Sequence, residues 1–147
     1  MTIGSTREKP WIEALPTERG AHFSGRTFSR FHLVGAGGDA GAPVVGEIWA
    51  TGEHAVEPHA HECDELFYVV SGAIEIDGRL LRENDVAFLP GGTAYAARVA
   101  SPEGSRVLRI ELSSRGGRRP DRQEYDARIW TGPLTEDGVP RVDEETE

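Results

Sequence analysis

Hydrophobic and polar residues alternate with a period of two along several short segments of this chain, and no long segment shows the 3.6-residue period of a helix. Thr27–Val34 (TFSRFHLV) shows this alternation, whereas Glu65–Ser71 (ELFYVVS) is the strongest predicted strand because it is rich in β-branched and aromatic residues. Asp77-Gly78 marks a two-residue hairpin turn, and Pro90-Gly91-Gly92 ends a further segment. The pattern predicts a series of short strands: Thr27–Val34, Val44–Ala50, Glu65–Ser71, Ala73–Ile76, Arg79–Arg82, Asp85–Leu89, Ala94–Ala100 and Arg106–Leu112.

The even spacing of these segments, with no crossover helix between them, favours an all-β fold over an α/β sheet. We therefore expect an antiparallel jelly-roll β-barrel over residues 27–113. Residues 1–26 are predicted to be a polar lead-in arm that docks through apolar residues such as Trp11. Residues 114–147 are predicted to be a polar C-terminal extension, with Trp130 as its main docking point.

Charge and composition narrow the classes of partner. The net charge is −9 and the sequence pI is about 5.0, which argues against a nucleic-acid partner because phosphate binding needs a basic face. No apolar run approaches the roughly 20 residues that span a bilayer. The polar start lacks a signal-peptide core, so a cytoplasmic location is expected. Cys63 is the single cysteine, which rules out an internal disulfide.

Candidate chemistry is concentrated between the second and third predicted strands. His59 and His61 are separated by one residue, so their imidazoles share a face in extended chain, and Glu65 has the same parity. Two imidazoles and a carboxylate on one side of a metal ion are the ligand set expected for non-heme iron(II), and they also suit zinc, manganese or nickel. The alternative is a barrel without metal, in which the two histidines form a hydrogen-bonded pair.

This segment resembles the first motif of the cupin superfamily. That motif contains a glycine, His-x-His, a glutamate after three or four residues, and a second glycine six residues later. Here Gly52, His59, His61, Glu65 and Gly72 match it, with one extra residue between Gly52 and His59.

The second cupin motif is matched in part. Pro90-x-Gly92 is present, whereas Asn84 replaces the leading glycine and Tyr95 stands where the fourth ligand histidine would be. Tyr95 is therefore a candidate metal ligand as a phenolate, a catalytic general acid or base beside the metal, or a residue that only caps the pocket.

Substrate selection would depend on the side chains that line the barrel. Trp49, Phe67 and Tyr95 are predicted to form an aromatic wall, as small-molecule sites usually have. Arg109 is a candidate for binding a polar substrate, and the alternative is a solvated charge on the outer face.

The resemblance implies a small single-domain (type 2) cupin with a divalent metal ion, iron(II) first, in the barrel mouth. We expect a metal-dependent enzyme acting on a small polar molecule, with a dioxygenase first and a lyase, cyclase or isomerase second. The alternative is a non-catalytic binding or sensing domain. A homodimer is also expected, because pairing covers exposed sheet edges, with contacts through Thr27–Val34 and the apolar face formed by Leu108, Ile110 and Leu112.

Overall fold

The computed structural model describes residues 3–4, 9–15, 23–34, 43–112 and 126–142, and these residues form twelve β-strands and no helix. The strands are β1 (Ile12–Leu15), β2 (Phe23–Ser24), β3 (Thr27–Val34), β4 (Val44–Ala50), β5 (Ala55–His59), β6 (Glu65–Ser71), β7 (Ala73–Ile76), β8 (Arg79–Arg82), β9 (Val86–Leu89), β10 (Tyr95–Val99), β11 (Ser105–Glu111) and β12 (Asp126–Ile129). Within this part of the chain, no helix is long and apolar enough to cross a membrane.

The strands form two sheets in which every pairing is antiparallel. The larger sheet has seven strands in the order β12-β1-β3-β4-β11-β6-β9, and the smaller has five in the order β2-β5-β10-β7-β8. Strands adjacent along the chain thus often lie in different sheets, as in a jelly roll. The predicted all-β, jelly-roll fold class is confirmed.

The inner face of the larger sheet follows directly from the alternation in β6 and β11. The buried residues of β6 are Glu65, Phe67 and Val69, and those of β11 are Ser105, Val107, Arg109 and Glu111. The apolar members of this set meet side chains of the smaller sheet in one core, which contains Phe67, Val69, Ile74, Ile76, Leu81, Tyr95 and Val107. This core fills the barrel below the cluster of polar groups described in the next subsection.

Part of the outer face of the larger sheet is covered by the C-terminal segment. Phe28 lies opposite both Glu13 and Trp49 in the strand register, so these three side chains share that face. They are covered by the chain around residues 130–142, and the result is a second core of Trp11, Phe28 and Val139, with Trp49, Trp130 and Val142 packed against it. We call this second core the outer cluster.

Left-handed backbone conformations at three residues explain local features of the sequence. Asp77 and Gly78 have φ angles of 49° and 80°, the conformation of a type I′ hairpin turn, as the sequence predicts. Asn84 has a φ of 72°. Asparagine tolerates this region better than other side chains, so it replaces the glycine of the second motif without changing the turn.

The sheets extend beyond the predicted barrel boundaries of residues 27–113. Ile12–Leu15 and Asp126–Ile129 pair with each other at the edge of the larger sheet, and Phe23–Ser24 joins the smaller one. Two parts of the predicted C-terminal extension, residues 114–125 and 143–147, lie outside the described residues. Thr27–Val34, expected at a dimer contact, is an interior strand between β1 and β4, so it offers no free edge.

Candidate functional site

The predicted site residues come together where several strands begin or end at one mouth of the barrel. His59 is the last residue of β5 and lies opposite Tyr95, the first residue of β10. Glu65 begins β6 and lies opposite Glu111, the last residue of β11. His61 lies in the loop between β5 and β6, with its ring centroid 5.0 Å from that of His59.

The loop of the second motif holds the loop of the first in place. The Gly92 amide donates to the His61 carbonyl at 2.7 Å, and the Gly91 amide donates to the Asp64 carboxylate at 2.8 Å. A side chain at Gly91 would bring its Cβ within 2.5 Å of the Glu62 carbonyl oxygen, which is too close for any non-glycine residue without movement. The Pro-x-Gly segment therefore fixes where His61 lies, even though the motif lacks its histidine.

Hydrogen bonding defines the neutral form of His59. Its Nδ1 lies 2.9 Å from the carbonyl oxygen of Glu57, which can only accept a hydrogen bond. Neutral His59 therefore carries its proton on Nδ1 and has a lone pair on Nε2. No hydrogen-bond partner of Nε2 is found among the residues that the structure describes.

Tyr95 and Glu65 lie deeper than the histidines. Tyr95 is 4% exposed and Glu65 1%, whereas His59 and His61 are partly exposed. The Tyr95 hydroxyl donates to Glu65 Oε1 at 3.4 Å, and the Tyr95 ring centroid lies 4.7 Å from that of His59. Phe67 packs edge-on against the same tyrosine ring at 5.9 Å. A buried phenol, an imidazole and a carboxylate thus meet beneath the mouth.

Arg109 lies at the centre of this group. Its Nε donates to Glu65 Oε2 at 2.6 Å, and its Nη2 lies 3.1 Å from His61 Nε2 and 3.0 Å from Glu111 Oε1. Burial on its own lowers the pKa of Arg109, but the carboxylates of Glu65 and Glu111 outweigh burial and raise this pKa above its usual value. The guanidinium therefore stays charged inside the barrel.

The donor types suit a divalent metal ion, but their arrangement does not. An imidazole nitrogen has one lone pair, and that of His61 Nε2 accepts a hydrogen bond from Arg109. A dication about 4 Å from a guanidinium is repelled by about 8 kcal/mol at an effective dielectric constant of 20. Among the described residues, no group of three or more His, Cys, Asp and Glu side chains is arranged to hold a metal ion. As folded here, the site does not fit the expected metal.

The interior next to Arg109 is closed. A cavity of about 10 Å³, room for a single water molecule, is lined by Ser29, Phe31, Val44, Gly46, Ile48, Arg109 and Glu111. This cavity is too small for a ligand larger than water.

The structure does not bring Trp49 into this site. Arg109 lies opposite Gly46 in the strand register and Leu108 opposite Glu47, so Trp49, two residues beyond Glu47, faces away from Arg109. Trp49 packs against the outer cluster instead. The aromatic residues that do meet at the mouth are Tyr95 and Phe67.

Sequence reasoning missed Glu111, which is 2% exposed and pairs with Arg109. The available signal was the strand Ser105–Glu111, in which Val107, Arg109 and Glu111 share one face and Leu108 and Ile110 the other. A rule that places apolar side chains in the interior would turn the face with Leu108 and Ile110 inward. The barrel instead buries the charged face, because Glu65 on the neighbouring strand supplies a partner for Arg109.

Comparisons with known proteins show the fold. A predicted oxalate decarboxylase from Thermotoga maritima superposes with a TM-score of 0.60 at 18% identity, covering 77% of this chain and 99% of that one. A cupin-like protein from the same organism superposes with a TM-score of 0.57 at 18% identity, and the comparison covers 88% of this chain and 98% of that one. The polyketide cyclase RemF from Streptomyces resistomycificus superposes with a TM-score of 0.59 at 19% identity, and the comparison covers 93% of this chain and 89% of that one.

A fourth similar structure belongs to a larger assembly. It is the Rhodobacter sphaeroides SigE in complex with the anti-sigma ChrR, with a TM-score of 0.50 at 18% identity. This comparison covers 58% of our chain and only 44% of that one. No protein-family model matches the chain, and no curated protein matches it significantly. The chain has the cupin fold, and the identities are too low to carry an activity from these structures.

Proposed function

We propose that this cupin binds a small uncharged polar molecule at the barrel mouth and transfers a proton to or from it, with His59 as general base and Tyr95 as general acid. The observation that carries the proposal is the packing of the Tyr95 ring against the ring of His59 at 4.7 Å, because the Nδ1 hydrogen bond of that histidine leaves the lone pair on Nε2. Glu65 Oε1 accepts from the tyrosine hydroxyl, and the substrate oxygen would take the place of Glu65 as the acceptor of this single proton.

The chemistry follows from the two side chains. A substrate carbonyl that accepts a hydrogen bond from the Tyr95 hydroxyl becomes more acidic at its adjacent carbon. His59 Nε2 then removes a proton from that carbon, and the reverse steps return a proton to the product. Positioned groups of this kind accelerate proton transfer by about 10²–10⁴-fold. The reaction class is an isomerisation or an elimination, which is the lyase-type alternative expected from the sequence.

Charge at the mouth selects the substrate class. The buried cluster contains two carboxylates, Glu65 and Glu111, for one guanidinium. Glu57, Glu62 and Asp64 are exposed around the same loops, so the rim is acidic. An anionic substrate is repelled by this surface, whereas an uncharged hydroxyketone or aldose is not.

Deuterium exchange tests the proposal directly. Uncharged hydroxyketones and aldoses are incubated in D₂O with EDTA-treated protein, and the loss of the proton signal next to the carbonyl is followed by NMR. Wild-type protein is expected to catalyse exchange of at least one compound. Tyr95→Phe and His59→Gln should lower the rate by about 10²–10⁴-fold, because each removes one proton-transfer group.

Tyr68→Phe is the matched control. Tyr68 lies on the same strand as Glu65, but its side chain is on the other face. Its hydroxyl donates to the side chain of Asn84 at 2.6 Å. This variant should exchange as fast as wild type. Equal rates in the Tyr95→Phe and wild-type proteins would refute the acid role, and exchange that disappears with EDTA would return the site to metal chemistry.

A sensing role is the second candidate, and the similarity to the SigE–ChrR structure favours it. In that case the barrel would bind a small molecule and pass the signal to a protein partner without turnover. The same compounds distinguish the two functions. A compound that raises the melting temperature of the wild-type protein but not of His59→Gln, and is not exchanged in D₂O, would support sensing.

We also propose a homodimer formed through the part of the larger sheet that the C-terminal segment leaves uncovered. Phe88, Leu66 and Ile110 lie side by side across β9, β6 and β11, and Val86, Tyr68 and Leu108 form the next row. Val86 is 61% and Phe88 56% exposed. Monomers rarely leave such a continuous apolar surface in contact with water.

Light scattering coupled to size exclusion tests the dimer. Wild-type protein is expected to elute as a dimer at micromolar concentration, and Phe88→Asp as a monomer, because burying an unpaired carboxylate at the contact costs on the order of 2 kcal/mol or more. Leu80→Asp is the control, since Leu80 is 47% exposed on the smaller sheet. A monomeric wild-type protein would contradict the assignment, as would a Phe88→Asp variant that stays dimeric.

A further inference from the structure

We infer that the Arg109 guanidinium takes the place of a divalent metal ion in this barrel, and that this single side chain prevents His59, His61 and Glu65 from forming a metal site. The inference does not depend on the proton-transfer role proposed above. It concerns which cation the buried carboxylates and imidazoles hold.

The first support is competition for the same donor atoms. Arg109 donates to Glu65 Oε2 at 2.6 Å and to His61 Nε2 at 3.1 Å. These are two of the three side chains that would bind the metal. The contact to His61 uses the single lone pair of Nε2, and the contact to Glu65 uses one of the lone pairs of its carboxylate. The Arg109 cation is thus held by Glu65 and His61, two of the residues expected to bind the metal.

The second support is electrostatic. Glu65 and Glu111 are both buried and need a positive neighbour, because an uncompensated carboxylate is costly in the barrel interior. Arg109 contacts both carboxylates, at 2.6 and 3.0 Å. Because the guanidinium is paired with both carboxylates, a dication would have to displace it and break both ion pairs.

The third support is that the contacts that hold His59 and His61 would remain if the Arg109 guanidinium were removed. His59 is held by the Glu57 carbonyl, and His61 by the amide of Gly92 on its own carbonyl. Neither restraint involves Arg109. Replacing Arg109 with a neutral residue should therefore free the donor atoms of His61 and Glu65, and rotation of these two side chains and of His59 toward one ion would complete the site.

Metal titration of three proteins tests the inference, with Co²⁺ and Zn²⁺ alone as probes. Wild-type protein should bind neither ion stoichiometrically by calorimetry, and it should hold no equivalent of metal by elemental analysis after purification. Arg109→Met, which keeps an unbranched side chain as far as the position of Nε but lacks the charged end of the guanidinium, should bind one ion per chain and show the visible absorption bands of protein-bound Co²⁺. Arg109→Lys keeps a positive charge and should not bind.

A second variant covers the risk that Arg109→Met does not fold, because it removes the cation that contacts two buried carboxylates. The double variant Arg109→Met/Glu111→Gln carries one carboxylate fewer and should bind the ion in the same way. In either background the ion should raise the melting temperature, and adding His61→Ala should abolish both binding and that rise.

Two results would overturn the inference. One is a wild-type protein that binds one equivalent of Co²⁺ or Zn²⁺ and loses it in His59→Ala or His61→Ala. The other is a folded neutral variant at position 109 that gains no metal. Neither result bears on the D₂O exchange measured in the presence of EDTA, so the failure of this inference and the failure of the proposed function are distinguishable.

Discussion

Replacing Arg109 with alanine is expected to lower the free energy of unfolding by about 3–5 kcal/mol, whereas Arg98→Ala should lower it by less than about 1 kcal/mol. Both arginines lie on strands and pair with glutamate, Arg109 with Glu65 and Arg98 with Glu75. They differ in burial. The Arg109 side chain is 7% exposed and that of Arg98 57%.

The physical reason is the fate of the partner left behind. Without Arg109, two carboxylates stay buried without a cation, and their desolvation is no longer compensated. Without Arg98, the carboxylate of Glu75 is partly exposed and gains water.

Urea denaturation followed by circular dichroism measures the difference. Adding Glu111→Gln to Arg109→Ala should recover part of the loss, since one unpaired buried charge is removed. Equal midpoints for Arg109→Ala and Arg98→Ala would show that the interior cluster contributes no more than a surface pair.

The second large effect is expected in the outer cluster. Phe28 is 1% exposed, and its ring contacts that of Trp130 edge-on at a centroid distance of 5.4 Å. Truncation to alanine leaves a void between the sheet and the segment that covers it, and such changes cost about 3–5 kcal/mol. The expected result is a large fall in the urea midpoint of Phe28→Ala.

Leu80→Ala serves as the comparison, because Leu80 lies on β8 and is 47% exposed. That variant should change the free energy of unfolding by no more than about 0.5 kcal/mol. A Phe28→Ala protein as stable as Leu80→Ala would mean that the C-terminal segment does not hold the position described here.

The sequence predicts those elements of this fold whose physics is local. The strand Glu65–Ser71 is recognisable from its run of β-branched and aromatic residues, and the turn at Asp77-Gly78 needs residues that accept positive φ. The spacing of His59, His61 and Glu65 likewise brings these three side chains to one mouth, because His59 ends one strand, Glu65 begins the next and His61 lies in the short loop between them.

Elements without alternation escaped sequence reasoning. All four residues of Asp126–Ile129 are exposed, so this edge strand has no apolar face to reveal it. Ala55–His59 contains Glu57 and Pro58, which are poor strand formers, and it is recognisable only from its partners β2 and β10.

The placement of charge could not be predicted either. Whether Arg109 points inward depends on the register that sets it beside Phe67 and close to Glu65, and register is a property of two strands together. The same holds for Trp49, whose face is decided by the covering segment at residues 130–142. Resemblance to a motif identifies candidate ligands, but it does not reveal a cation supplied by another strand.

The outer cluster also has a spectroscopic consequence. The chain has three tryptophans, and all of them, Trp11, Trp49 and Trp130, lie in or against that cluster on the side of the sheet away from the barrel mouth. Intrinsic tryptophan emission is therefore a local optical probe of the covering segment, whereas far-ultraviolet dichroism follows all the strands. If the cover detaches before the barrel melts, the emission maximum shifts red at a lower urea concentration than the dichroism changes, and the two curves separate.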